Sequence, residues 1–207
     1  MRSTMMFATL VIFASTALAA SGGPLQTLKQ KNGEVDRLLR VKSEPGSSAE
    51  KKQKDEIKSL AGTLLDYTEL AKRALGAHWD KLTKAQRDDF VATLKELIER
   101  NYVRQLKSNL DYDVQYKNED VQGAEATVNS VVKVRTEGKS TDVEIVYKLR
   151  KAAPTTSPSN DRWMVYDVIT DEVSLVRNYR SQFNKIISEK SYDELIKKMK
   201  SKLKEGI

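Results

Sequence analysis

The sequence contains no cysteine and only one histidine, His78, among its 207 residues. The lack of cysteine excludes disulfides, thiolate metal sites and Cys–His catalytic pairs. A Ser–His–Asp triad would have to use His78, which stands beside Trp79 in a predicted turn between helices, so we interpret it as a structural residue. The chain also lacks a glycine-rich phosphate loop. We therefore expect no metal and no cofactor, and a fold that is stabilised by packing.

Long apolar runs are missing as well, except at the start of the chain. The opening residues, MRSTMMFATLVIFASTALAA, combine the basic Arg2, an apolar stretch over Met5–Ala14 and the small-residue pattern Ala17-Leu18-Ala19. This combination predicts a secretory signal peptide over residues 1–19, cleaved near Ala19, with an uncleaved anchor as the alternative. No later run approaches the roughly 20 apolar residues of a transmembrane helix. The remaining residues, 20–207, are long enough for one domain with a substantial core.

The charge balance is mildly basic, with a formal net charge of +7. Because the chain is expected to be exported, this excess favours anionic membranes or acidic partner surfaces as contacts, and we expect no nucleic acid. Lysines concentrate near the C-terminus, at Lys197, Lys198, Lys200, Lys202 and Lys204. They predict either a solvated helix face or a patch that contacts an anionic lipid surface or an acidic partner.

Two kinds of hydrophobic periodicity divide the chain. Helical spacing covers the two ends, over Pro24–Val41, Ser48–Leu60, Leu64–Gly76, Thr83–Ser108, Glu172–Glu189 and Ser191–Lys204. Capping boxes open two of these helices, at Thr83 with Gln86 and at Ser191 with Glu194. Alternating spacing lies between them, over Leu110–Lys117, Ala124–Thr136, Asp142–Arg150 and Trp163–Ile169.

The connections between the predicted strands favour an antiparallel meander. Asn118–Gly123 is a predicted turn, Glu137–Ser140 a hairpin turn and Lys151–Asp161 a longer loop. The fold class is therefore α+β: an antiparallel sheet of about four strands, covered on one face by helices that come from both the N- and C-terminal ends. The segment Thr170–Glu172 is expected to provide the N-cap of the helix after the last strand.

Carboxylates near the last strand leave an enzymatic reading open. Asp167 lies within the strand, and Asp171 and Glu172 follow it, so an acid/base pair in a pocket between sheet and helix is conceivable. The alternative is that Asp167 is a hydrogen-bonded structural group and that Asp171 or Glu172 caps the helix.

Two long tracts resemble a known family. LLDYTELAKRALGAHWDKLTKAQRDDFVATLKELIERNYVRQL, over Leu64–Leu106, and RWMVYDVITDEVSLVRNYRSQFNKIISEKSYDELIKKMKSKL, over Arg162–Leu203, are similar to the MlaC-type family. Its members are periplasmic substrate-binding proteins of toluene-tolerance and lipid-asymmetry ABC transport systems. The resemblance implies a periplasmic carrier that holds the acyl chains of a phospholipid between sheet and helices. It would shuttle lipid between an outer-membrane lipoprotein complex and an inner-membrane complex with an MCE-domain protein and an ATPase.

The resemblance fixes no ligand contacts, so the predicted pocket wall is inferred from the apolar pattern. It takes residues from the long helix, the last strand and the helix that follows: Phe90, Leu94, Ile98, Tyr102, Leu106, Trp163, Val165, Leu175, Tyr179 and Phe183. Trp163 and Phe183 are expected to face each other across the lipid tails. Arg177 or Arg180 is a candidate for the headgroup phosphate, with surface salt-bridging as the alternative.

Two other functions remain as hypotheses. An enzyme on the same cone-shaped α+β scaffold would use Asp167 as its base and predicts a pocket with several convergent polar groups. A structural periplasmic adaptor predicts a closed core without a cavity and an exposed patch instead.

Overall fold

The structure, a computed structural model, describes residues 22–108, 111–136, 139–152 and 162–205, with side chains for all of these except 102–108 and 136. The helices in this part of the chain are α1 Pro24–Leu39, α2 Ser48–Leu64, α3 Tyr67–Leu75, α4 Lys84–Ser108, α5 Leu175–Glu189 and α6 Tyr192–Lys204, with a short 3-10 helix at Gly76–Lys81. The strands are β1 Tyr112–Gln122, β2 Glu125–Thr136, β3 Lys139–Lys151, β4 Trp163–Thr170 and β5 Val173–Ser174. No helix within the described ranges has an apolar stretch long enough to cross a membrane.

The strands form one antiparallel sheet in which every neighbour along the chain is also a neighbour in space, in the order β1-β2-β3-β4-β5. The predicted fold class, an α+β meander with helices at both ends, is confirmed. Side chains alternate across the sheet, so the register pairs the inward-facing Ala126 with Leu149 and Val128 with Tyr147.

The first strand is longer than the sequence predicted. Residues 118–122, which were expected to form a turn, continue β1 and pair with β2 after a register shift between Tyr116 and Asn118. All of their side chains except Val121 are polar and all are exposed, so they lack the alternation that marks a half-buried strand, while their backbone still completes the ladder. The turn is confined to Gly123 and Ala124, where Gly123 has φ +62. Glu137 and Gly138 of the second predicted turn, and residues 153–161 of the long loop, lie outside the described residues.

The helix after the sheet begins later than predicted. Asp171 and Glu172 have φ values of 45 and 66, so they form the turn between β4 and β5 and do not cap a helix. The N-cap of α5 is Ser174, whose hydroxyl oxygen accepts a hydrogen bond from the backbone N–H of Arg177 at 3.0 Å. The acidic pair resembled a cap in sequence, but the short β5 strand stands between it and the helix. The predicted capping box of α4 does form, because Thr83 and Gln86 exchange bonds at 2.9 and 3.2 Å.

The buried apolar residues fall into two clusters. The first, which we call the helical core, joins α3, α4, α5, α6 and the 3-10 helix through Tyr67, Leu70, Ala71, Ala74, Leu75, Trp79, Phe90, Leu94, Ile98, Val176, Phe183, Leu195 and Met199. The second, which we call the sheet core, joins α1 to the inner face of the sheet through Leu28, Ala126, Val128, Leu149, Trp163 and Val165. Leu65, at the junction of α2 and α3, packs against both. It also forms an isolated parallel bridge with Val165 of β4.

Candidate functional site

A cavity of about 570 Å³ lies between the two cores. Its size falls within the range of about 300–1,000 Å³ that is typical of small-molecule sites. Most of the described residues around it are aliphatic. Seven helices and strands contribute to its wall: Lys31, Asn32 and Val35 of α1; Leu60, Ala61 and Leu64 of α2, followed by Leu65; Ile98 and Asn101 of α4; Ile145 and Tyr147 of β3; Val165, Val168 and Thr170 of β4; Val173 of β5; and Leu175, Asn178 and Tyr179 of α5.

The structure brings four of the predicted wall residues together at this cavity: Ile98, Val165, Leu175 and Tyr179. They come from the long helix, the fourth strand and the following helix, which are the three elements that the sequence indicated. Val165 also belongs to the sheet core and Ile98 to the helical core, so the cavity is bordered by residues of both.

Other predicted wall residues lie away from the cavity. Phe90, Leu94 and Phe183 are in the helical core, where the rings of Phe90 and Phe183 meet edge to face with centroids 5.4 Å apart. Trp163 is in the sheet core. Trp163 and Phe183 therefore belong to different cores, and their neighbours Val165 and Tyr179 reach the cavity in their place. The side chains of Tyr102 and Leu106 lie outside the described residues.

Sequence reasoning missed the wall that α1 and α2 provide. Their apolar residues are few and lie among charged ones. Nothing in the local pattern indicates that Val35 or Ala61 faces a cavity and not a neighbouring side chain. A signal did exist in β3, where Ile145 and Tyr147 fall on the inward-facing alternation of a predicted strand. That alternation identifies the buried face of a strand, but it does not say whether the face meets a helix or a cavity.

Polar groups that α1 contributes at the cavity are paired with neighbouring side chains. The Asn32 amide donates to the Tyr116 hydroxyl at 2.6 Å, and the Lys31 ammonium pairs with Glu34 at 3.0 Å. Burial raises the pKa of Tyr147 to about 12, beside the side chains of Asn32 and Ser130. This wall is therefore a low-dielectric surface with few polar groups left to bind a ligand.

The mouth of the cavity lies at the turn between β4 and β5 and the first residues of α5. Thr170, Val173 and Asn178 line the cavity and are exposed, with Val173 61% accessible to solvent. Leu65 and Val165, which are bridged to each other, also line the cavity and are half-buried and buried, respectively.

The two candidate headgroup residues make other contacts. Arg177 donates from Nη2 to the backbone oxygen of Glu172 at 3.0 Å. Arg180 donates from Nε and Nη2 to the backbone oxygen of Arg73, at 2.8 and 2.6 Å, at the C-terminal end of α3. Neither lines the cavity.

Asp167 is a buried structural acceptor. One carboxylate oxygen accepts from the Ser174 hydroxyl at 2.6 Å and the other from the Val176 backbone N–H at 3.0 Å, so it secures the start of α5. It does not line the cavity. In the part of the chain that the structure describes, no three His, Asp or Glu side chains are grouped so that they could hold a metal ion.

Known proteins share both the sequence pattern and the fold. The Intermembrane phospholipid transport system binding protein MlaC of Haemophilus influenzae is 25% identical over 147 residues, which are 70% of this chain and 66% of that protein. The match thus spans slightly less than two thirds of that relative. A phospholipid-binding protein from Ralstonia solanacearum, solved in complex with a phospholipid, superposes with a TM-score of 0.69 at 21% identity, over 87% of this chain and 97% of the other. That likeness shows a shared fold.

The sequence model of one protein family covers most of the chain. The family described as MlaC protein matches residues 30–201, which include all six helices and the whole sheet except the first turns of α1 and the last turn of α6. The resemblance that the sequence suggested is therefore confirmed: the chain belongs to the MlaC family.

Proposed function

We propose that this protein binds a phospholipid by enclosing its acyl chains in the cavity between the two cores. The single observation that carries the proposal is the cavity itself, which is apolar along most of its wall and open at one end. Each methylene removed from water contributes about 0.8 kcal/mol, so an apolar tail is the ligand that such a wall stabilises most. The complex of the Ralstonia solanacearum protein with a phospholipid supports the same ligand class.

The lipid would be held with its headgroup at the mouth. The bridged residues Leu65 and Val165 offer apolar contacts, whereas the exposed rim includes Thr170 and Asn178. A charged headgroup keeps its hydration when it stays at this rim, because moving an ion into a low-dielectric interior is costly. Phosphate contacts by Arg177 or Arg180 remain a proposal, which would require each guanidinium to leave its present backbone acceptor.

The protein would act as a carrier that exchanges lipid with membranes through partner complexes. A phospholipid leaves a bilayer that is already apolar, so the cavity has only to match the bilayer approximately for transfer to be reversible. We propose that this exchange takes place in the periplasm, after removal of residues 1–19. The partners would be an outer-membrane lipoprotein complex and an inner-membrane ABC transporter complex with an MCE-domain protein. The name of the Haemophilus influenzae relative, an intermembrane transport system binding protein, supports this role.

Brief contact with a membrane surface would accompany the exchange. Lys198, Lys202 and Lys204 are exposed on α6 and add positive charge to a protein that is already basic. Basic residues near an anionic surface contribute about 1 kcal/mol each, which suits a reversible encounter.

The decisive experiment measures bound lipid in the purified protein and in two matched variants. Val168→Glu places a carboxylate on the cavity wall, and Val121→Glu makes the same change at an exposed position of β1, where the side chain is 48% accessible. We expect organic extraction and mass spectrometry to recover phospholipid from the natural protein. Val168→Glu should lower the recovered amount by about tenfold or more, because a carboxylate against acyl chains is poorly solvated.

The control variant shows whether a loss of bound lipid is specific to the cavity wall. Val121→Glu should retain the full amount of lipid, since its side chain does not line the cavity. If the natural protein carries no phospholipid after purification, or if both variants retain lipid equally, the proposed function is wrong.

A further inference from the structure

Tyr179 differs from the other residues of the cavity wall because it carries a rigidly held phenol. Its ring stacks on Phe183 of the helical core, with centroids 5.3 Å apart and an angle of 18° between the ring planes. Phe183 is in turn fixed edge to face against Phe90. Because the ring is held by this packed column, the direction of the hydroxyl is set by the helical core and not by the ligand.

The hydroxyl of Tyr179 is unpaired within the described residues, in contrast to several other tyrosine hydroxyls. Tyr67 bonds Glu99 at 3.2 Å, Tyr166 bonds Glu125 at 3.3 Å and Tyr192 bonds the backbone oxygen of Gln86 at 2.9 Å. Within the described residues, Tyr179 has no hydrogen-bond partner of this kind. No fully buried side-chain nitrogen or oxygen in that part of the chain lacks a partner, so the Tyr179 hydroxyl is not fully buried, and the residue lines the cavity.

The surroundings keep this phenol protonated. Burial raises the pKa of Tyr179 above its usual range, and no charged neighbour opposes that shift. At neutral pH the group is therefore a hydrogen-bond donor in a poorly hydrated setting, where an unused donor is costly. A ligand that supplied an oxygen acceptor at this point would remove that cost.

The position of Tyr179 along the cavity identifies the acceptor. Asn178, the preceding residue, is exposed at the mouth, and Tyr179 lies next to it on α5, where it lines the cavity and packs on the helical core. In a phospholipid whose tails are inside and whose headgroup is outside, the atoms at this level are those that join the tails to glycerol. We propose that the Tyr179 hydroxyl donates a hydrogen bond to an ester carbonyl oxygen of the bound phospholipid, and so favours ester-linked over ether-linked lipid. This inference rests on the proposed function.

The test compares two lipids that differ only in this oxygen. The natural protein, Tyr179→Phe and Tyr192→Phe are each incubated with vesicles that contain equal amounts of a diester and a diether phosphatidylglycerol with identical saturated chains. The protein is then re-isolated, and both lipids are quantified by mass spectrometry. Tyr192→Phe is the matched control, since it removes a phenol hydroxyl from α6, away from the cavity.

We expect the natural protein and Tyr192→Phe to be enriched in the diester lipid by roughly two- to tenfold, the selectivity of one neutral hydrogen bond. Tyr179→Phe should bind both lipids in a ratio near one, because the ring and its stacking are retained while the donor is lost. Thermal unfolding measured by circular dichroism checks that each variant is folded.

Other outcomes separate this inference from the proposed function. If the natural protein binds both lipids equally, or if Tyr179→Phe keeps the diester preference, the assigned hydrogen bond is wrong while lipid binding stands. An equal loss of both lipids in Tyr179→Phe also overturns it, since the hydroxyl would then act on both lipids alike and not through the ester oxygen. If no lipid of either kind is bound, the proposed function and this inference fail together.

Discussion

The helical core and the sheet core use apolar residues in different ways. In the helical core, helices pack on one another and large side chains such as Phe90 and Leu94 are completely buried. In the sheet core, Leu28, Val128 and Leu149 are equally buried, but the layer beside them is only partly closed. Leu64, Tyr147 and Val168 are therefore half-buried at the cavity wall. The comparison teaches that one well-packed unit can provide stability while the boundary between two units stays open for a ligand.

Hydrogen bonds and ion pairs connect α3 to the sheet near the bridge between Leu65 and Val165. The backbone N–H of Asp66 donates to the backbone oxygen of Val165 at 2.8 Å, next to the Leu65 bridge. Arg150 of β3 pairs with Asp66 at 2.8 Å and with Glu69 at 3.1 Å. Arg73 continues the network, with Glu69 at 2.7 Å and Glu125 at 2.6 Å. This network ties α3 to the sheet.

The largest expected effect contrasts one truncation in each region. Phe90→Ala should lower the free energy of unfolding by about 3–5 kcal/mol, because it leaves a void among rings that cannot collapse onto it. Leu64→Ala should cost only about 1 kcal/mol, because it enlarges a space that already exists. Urea unfolding followed by far-ultraviolet circular dichroism measures both. Equal losses would show that the boundary is packed as tightly as the helical core.

The next largest effect tests the ion pairs that connect α3 to the sheet. Arg150→Met keeps most of the side-chain volume but leaves the carboxylates of Asp66 and Glu69 without this partner, so we expect a loss of about 1.5–3 kcal/mol, towards the lower value because the arginine is partly exposed. The control is Arg135→Met, which breaks an exposed pair with Asp111 and should cost less than about 1 kcal/mol. Urea unfolding again provides the measurement. If the two losses are the same, the network does not hold the cores together.

The smallest expected effect tests whether the cavity wall around Tyr147 excludes water as the helical core does. The pKa of Tyr147 is raised to about 12 in the folded protein and is near 10 in the unfolded chain. The folded state therefore retains its proton while the unfolded state loses it, and the corresponding stability is present below pH 10 and is lost between about pH 10 and 12. One pH unit within this window corresponds to about 1.4 kcal/mol.

The readout is the difference between the natural protein and Tyr147→Phe, because other groups titrate in the same range. Between pH 9 and pH 11 the natural protein should lose about 1.4 kcal/mol more than the variant in chemical unfolding. Parallel pH profiles would indicate that water reaches the Tyr147 hydroxyl freely and that this wall is not a low-dielectric surface.

The sequence predicted the helices and strands whose hydrophobic periodicity was regular. It missed the boundaries that depend on backbone conformation or on backbone pairing alone. The α4 helix begins at its capping box because Thr83 and Gln86 satisfy the first orphan N–H groups. The predicted start of α5 was wrong, since Asp171 and Glu172 adopt left-handed conformations that are uncommon for residues other than glycine. The length of β1 was also wrong, because an exposed edge strand needs only backbone pairing and carries no apolar alternation.

The candidate site was predicted in part for a related reason. Ile98, Val165, Leu175 and Tyr179 reach the cavity, whereas Phe90, Leu94, Phe183 and Trp163 have the same kind of pattern and lie in the cores. Periodicity shows which face of a helix or strand is buried, but it does not show whether a neighbouring element or a cavity lies against that face. The ligand roles of all these residues therefore stay predictions that the lipid measurements address.

The sequence by itself determined the α+β class, the reliance on packing in a chain without cysteine, and the family, because these depend on composition, local periodicity and extended similarity. Only the tertiary structure decided that the molecule has two cores with a cavity between them. That space is bordered by α1 and α2 on one side and by α4 and α5 on another, so it depends on distances between segments that are far apart in the chain. The unpaired hydroxyl of Tyr179 belongs to the same category, since a partner is present or absent only in space.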